Sequence, residues 1–405
     1  MRYATGLGER YSPLYFLTAL GAGGLSVAFF MFLMWMTPHE GVPIATFDTA
    51  LAAFQAGGLA MKALIVGAYL GVTVFVVLHV RTLVWNLREY AAFKRTDAYR
   101  ALRESNAETQ LMAIPLTLAM SVNASFIVGA LFVPGLWSIV EYLFPAAMVA
   151  FLAIGVYAMR IFTDFLARVL TRGGFDCAKN NSFGQMLSVF AFSMVGVGFS
   201  APAAMSHSPA VTAVATMLSL VFVVAALLFG AIMLVLGFRA MMEHAASLET
   251  TPTLWILIPI VTVLGIALYR LNMGLAHTYG AEWHAASVFF FLSTLFAVQI
   301  LFGIIGYAVM TRFGYFEQYV RGQGRSAGAF ALICPGVALW VFGNFVINAG
   351  LVRLGVVDPF SVVWFALYVP LVALLAITIR TYFRLNAKLL SAPRAPVSGA
   401  AVPAE

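Results

Sequence analysis

The chain has 405 residues, 62% of them hydrophobic and only 10% charged, and a water-facing globule of that composition would carry large contiguous apolar patches. A soluble fold is therefore excluded, and lipid must be the solvent for most of the chain. The net charge of +7 does not indicate nucleic acid, because the Lys and Arg residues flank apolar segments as they do in membrane proteins.

A bilayer core about 30 Å thick requires roughly 20 apolar residues per helical crossing. Runs of that length predict ten spans, at residues 14–36, 58–82, 109–131, 136–162, 183–204, 210–237, 252–271, 284–310, 328–350 and 359–385. The first run is too long for the h-region of a secretory signal, roughly 7 to 15 residues, and no small-residue cleavage site precedes His39. A membrane barrel is excluded by stretches such as 221–236, which are apolar without alternation. The predicted class is an all-α integral membrane protein. Residues 1–13 form a cytoplasmic N-terminus, 14–385 a ten-helix transmembrane domain, and 386–405, rich in Ala, Pro and Ser, a disordered cytoplasmic tail.

Ten spans place the connections alternately on two sides. Every Lys and Arg then falls on the side of the N-terminus except Lys62, Arg270 and Arg353. The positive-inside rule puts both termini in the cytoplasm, as in a bacterial inner membrane. An odd number of spans would scramble the separation. The connection from Asn86 to Gln110, with alternating charges around Tyr90, Phe93 and Tyr99, reads as a solvated surface helix touching anionic lipid.

The odd spans differ from the even ones. Span 6 is almost purely Val, Ala, Leu, Phe and Met, whereas span 3 carries Thr117, Ser121 and Asn123, span 5 carries Ser188 and Ser193, and span 9 carries Asn344 and Asn348. Polar groups are costly against lipid, so the odd helices should face one another or water, with the even helices outside. Prolines recur near the start of three odd spans, at Pro115, Pro259 and Pro335, and predict kinks. Span 1 uses Gly21, Gly23 and Gly24 in the same region. Five helical hairpins, with odd helices around a central pore, is the expected architecture.

Three local sequences carry a likeness to a known family: Tyr15-Phe-Leu-Thr-Ala-Leu-Gly-Ala-Gly-Gly24, Asn180-Asn-Ser-Phe-Gly-Gln185 and Phe330-Ala-Leu-Ile-Cys-Pro-Gly-Val337. With the topology of residues 14–385, they make the chain resemble the tellurite-resistance and dicarboxylate transporter family, which includes bacterial TehA and the plant slow anion channel. The chain is also similar to the TsoY-type membrane proteins, some of which use selenocysteine. The resemblance implies a homotrimer with a pore through each subunit, occluded by phenylalanine on an inner helix. Pro335 falls near the position of that phenylalanine, with Cys334 beside it, and the nearest aromatic substitutes are Phe330 and Phe342.

No ionisable residue falls in the middle of a predicted span; Lys62, Glu141 and Arg270 lie near span ends. Conduction fits this better than a carboxylate relay. Thr117, Ser121, Asn123, Ser188, Ser193, Asn344 and Asn348 are the candidate weak donors lining an anion path. The two cysteines are too few for a disulfide framework. Cys334, beside a proline on an inner helix, and Cys177, in a loop with basic neighbours, are candidate reactive thiols, although buried cysteine commonly serves as a small hydrophobe. His39, His207, His277 and His284 cluster near the outer ends of spans and are candidate ligands for haem or copper, yet no His-x-x-x-His pair or Cys-x-x-Cys-His occurs.

No Walker or zincin motif is present. Gly324-Arg-Ser-Ala-Gly328 matches a nucleophile elbow but lacks the strand that an elbow requires. The leading expectation is a channel or transporter for a small anion or organic acid, with no cofactor and no enzyme activity. The alternative is a membrane redox protein using Cys334, Cys177 or a histidine-bound metal.

Overall fold

The structure is a computed structural model that describes residues 3–176 and 180–392. Cys177 and the predicted tail beyond 392 lie outside the described residues. Among the described residues ten helices are long and apolar enough to cross a membrane: α1 (Pro13–Met36), α2 (Leu59–Phe93), α3 (Asn106–Phe132), α4 (Leu136–Arg172), α5 (Met186–Met205), α6 (Pro209–His244), α7 (Leu248–Tyr279), α8 (Ala285–Arg312), α9 (Ala327–Val352) and α10 (Val362–Leu389).

Local chemistry sets their starts. The Ser361 hydroxyl accepts the Trp364 N–H at the head of α10, and Ser208 caps α6 in the same way, satisfying amides that have no intrahelical acceptor. Pro115, Pro259 and Pro335 each fall in the first α-helical turn of their span, directly after a 3-10 stretch at Asn106–Met112, Leu248–Trp255 or Ala327–Leu332. A proline in a first turn removes no intrahelical hydrogen bond. What replaces the predicted kink is a change of helical pitch at the entrance to each span.

Burial alternates along the chain. Between 61 and 94% of the central stretch of each odd helix is buried, against 17 to 33% for each even helix. The odd helices touch in order, α1 to α3, α3 to α5, α5 to α7 and α7 to α9, and α9 returns to α1. Each even helix lies against the odd helix before it. α5, which contacts α3, α4, α6 and α7, is the most deeply buried. Gly274 brings α7 against α5, since a Cβ there would overlap the Ala203 carbonyl.

Several helices run past their predicted ends, because apolar patterning stops at the membrane edge whereas backbone hydrogen bonding does not. The seventh helix, expected to end at 271, continues to Tyr279 and stops at Gly280, whose φ of 73° ends the helix with its N–H on the Ala276 carbonyl. A left-handed residue is readily supplied by glycine. Arg270 therefore lies nine residues inside the helix end, about 13 Å by helical rise.

The connection after α2 also differs from its predicted form. Residues 86–93 complete α2, and only Asp97–Arg103 forms a separate short helix. Asn86 and Glu89 are buried. The Glu89 carboxylate accepts the Gly6 and Leu7 N–H groups at 3.0 and 2.8 Å, and Tyr11 donates to Asn86 at 2.9 Å. This stretch is a platform for the N-terminal segment, which also bonds to the far end of the chain through Ala4 N–H and the Leu390 carbonyl. Burial pushes the Tyr11 phenol above its ordinary pKa, so it stays a neutral donor.

Candidate functional site

Two cavities lie among the helices and share part of their walls. The first, about 190 Å³, opens toward the side away from the N-terminus, where its wall includes Ile44, Met205 and Arg270. Phe126, Phe144, Phe151 and Phe345 line much of the rest. The second, about 670 Å³, lies on the N-terminal side and is walled by Ser105, Asn106, Gln110, Thr250, Thr253 and neighbouring loop residues. Phe190, Pro259 and Cys334 belong to both walls. These three residues, from α5, α7 and α9, form the neck between the chambers.

The geometry of the neck follows from the helices that supply it. Pro259 is fixed by the pitch change at the start of α7. Cys334 sits at the corresponding place in α9 and is half-buried. Phe190, one turn into α5, is 4% exposed and lies in the wall that the chambers share. No ion pair or side-chain hydrogen bond of the described residues joins Cys334 to a Lys, Arg or His, and nothing of that kind stabilises a thiolate there.

The charges of the two chambers are opposite. Arg270 is the sole charged side chain of the first wall among the described residues, and none of their carboxylates pairs with it. The second wall holds Glu104, Asp176 and Glu249 and, among the described residues, no Lys, Arg or His. Gln185 completes that wall. Its Nε2 donates to the Asn106 carbonyl at 2.9 Å, which orients the amide and leaves Oε1 buried without a partner.

Of the seven polar residues expected along a path, Asn123 lines a cavity, the first one. The other six line neither. Thr117 donates to Ala113 and Phe16 carbonyls at 2.7 and 3.2 Å. Ser121 bonds the Thr117 carbonyl and His79, whose other ring nitrogen meets the Ala19 carbonyl at 2.7 Å. Ser193 donates to Val189 at 2.8 Å, and Ser188 is buried with its hydroxyl unpartnered. Asn344 accepts the Tyr368 hydroxyl at 2.7 Å and Asn348 accepts Trp364 Nε1 at 3.1 Å, tying α9 to α10.

Phe330 and Phe342 are fully buried and line neither cavity. Pro115 and Pro335 are also buried away from both, whereas Pro259 lines both. The four outer histidines divide. His207 and His277 lie with ring centroids 5.4 Å apart and planes tilted by 55°, His39 is held between the Met34 and Val42 carbonyls, and His284 lies near Glu282. Among the described residues no group of three or more His, Cys, Asp or Glu could hold a metal.

Sequence reading missed Phe190, Glu104 and Glu249, and it set Arg270 at a rim. Only the length of α7, marked by Gly280, could have moved Arg270 inward. No protein-family model matches the chain and no curated protein matches it.

Proposed function

We propose that the chain is a membrane transport protein that passes a small anion or organic acid along the axis of each subunit. The five odd helices line the path, and the even helices close each hairpin from outside. The observation that carries this reading is Arg270, half-buried in an apolar chamber without a carboxylate partner. A guanidinium in such surroundings is costly until a counter-ion arrives, and a path from the outside supplies one. The neck at Phe190 supports a conduit held closed in this conformation, since apolar constrictions block ion passage.

The charge separation along the sequence supports an orientation with both termini in the cytoplasm of a bacterial inner membrane. The second chamber then opens inward. The exposed apolar faces of the even helices suit lipid and the subunit contacts of a homotrimer.

The test is flux in proteoliposomes containing the purified full chain. Voltage-driven efflux of chloride, nitrate or a monocarboxylate above that of protein-free vesicles is the expected result. No flux of any anion at any voltage or pH removes the proposal. A thiol reading is favoured only by the position of Cys334 in both walls. Unchanged flux in Cys334→Ser, with no absorption band from a cofactor, retires it.

A further inference from the structure

We infer that the Arg270 chamber is a binding site for a monocarboxylate with a compact apolar body, of about the size of benzoate. The inference rests on the transport reading and names the substrate class of that same site.

Size and wall chemistry come first. An apolar cavity of about 150 Å³ is large enough to take benzene, and this chamber measures about 190 Å³. Its lining is aromatic and aliphatic through most of its extent. Besides Arg270 and Cys334, its polar side chains are Asn123 and Thr262. Thr262 is already engaged, donating to the Ile258 and Ala338 carbonyls and accepting from Gln299 Nε2 at 2.8 Å. Asn123 donates through Nδ2 to the Met194 sulfur at 3.5 Å. The chamber thus offers one strong cation, one amide and a wide apolar remainder.

That combination selects a ligand with a single negative end. A guanidinium fork matches a carboxylate with two parallel hydrogen bonds. A hydrocarbon body fills the remaining space and leaves no polar group unpaired. A dicarboxylate would place its second charge among Phe126, Phe144 and Phe151 without a partner, which is strongly unfavourable. Chloride or acetate would satisfy Arg270 but leave most of the apolar wall without contact.

Binding to the full chain in lipid nanodiscs, measured by calorimetry and thermal unfolding, tests this. Sodium benzoate is expected to bind and to raise the unfolding temperature. Succinate, acetate and the neutral isostere benzamide should each bind at least roughly tenfold more weakly, through an unpaired second charge, lost apolar contact and a lost charge-assisted pair respectively. Arg270→Gln should weaken benzoate binding roughly 10- to 100-fold, with Arg270→Lys intermediate. The benzamide comparison uses the unaltered chain, so a variant that fails to fold leaves the test intact. Benzamide or succinate binding as tightly as benzoate overturns the inference. Absence of benzoate binding alongside measurable chloride flux also overturns it and leaves the transport reading standing. Absence of both removes the two together.

Discussion

The two chambers meet at one phenyl ring yet are built on opposite principles. The first is a small apolar space with, among the described residues, a single cation at its open end. The second is several times larger, lined by loop and helix-entrance residues, and its charged groups are carboxylates. Apolar walls with little water strengthen the field of Arg270, whereas the wetter vestibule screens Glu104 and Glu249. On the proposed transport reading, an anion is drawn strongly into the first chamber and resisted weakly at the vestibule.

Four changes put this contrast to the test. The largest effect is expected from Arg270→Gln, which leaves the first chamber without charge. Anion flux from that side should fall roughly 10- to 100-fold, and flux equal to the unaltered chain would show that Arg270 has no part in conduction. Next is Phe190→Ala. Removing a barrier of about 1.4 kcal/mol at the neck would raise flux about tenfold, seen as faster dissipation of an anion gradient in proteoliposomes. An unchanged rate would place the closure elsewhere.

Asn344→Leu should act on stability alone. It leaves the Tyr368 hydroxyl without its acceptor, at a cost of about 1 to 3 kcal/mol, and the unfolding temperature should drop while flux per folded molecule stays constant. A changed flux would return Asn344 to the path. The smallest effect is expected from Glu104→Gln combined with Glu249→Gln. Screened charges of this kind are worth up to about 1 kcal/mol, so entry of anions from the vestibule side should rise about twofold at low salt. The gain should shrink near physiological ionic strength, where the screening length is about 8 Å.

The ten helices and their division into buried and exposed sets were legible because both follow from hydropathy and from the placement of Lys and Arg. The chambers were not, for reasons that particular residues make plain. Thr117, Ser121, Ser193, Asn344 and Asn348 each donate to the carbonyl four residues earlier. A polar side chain in a membrane helix can be satisfied by its own backbone as readily as by water in a channel, and composition does not separate the two. Phe190 is one of 35 phenylalanines, and what sets it apart is the company of Pro259 and Cys334 from helices distant in sequence. Arg270 was visible as a residue, but its depth depended on where α7 stops, and helix ends are the least certain part of any reading from pattern.

The N-terminal segment bears on the order of assembly. Glu89 and Trp85 can receive residues 4–7 as soon as α2 exists. The bond from Ala4 to Leu390 and the pairing of Tyr3 with Ser391 wait until α10 has emerged from the ribosome. Residues 3 and 4, made before α1, are thus locked only after α10. Protection of the Ala4 amide from hydrogen exchange would serve as a clock for closure of the whole ring.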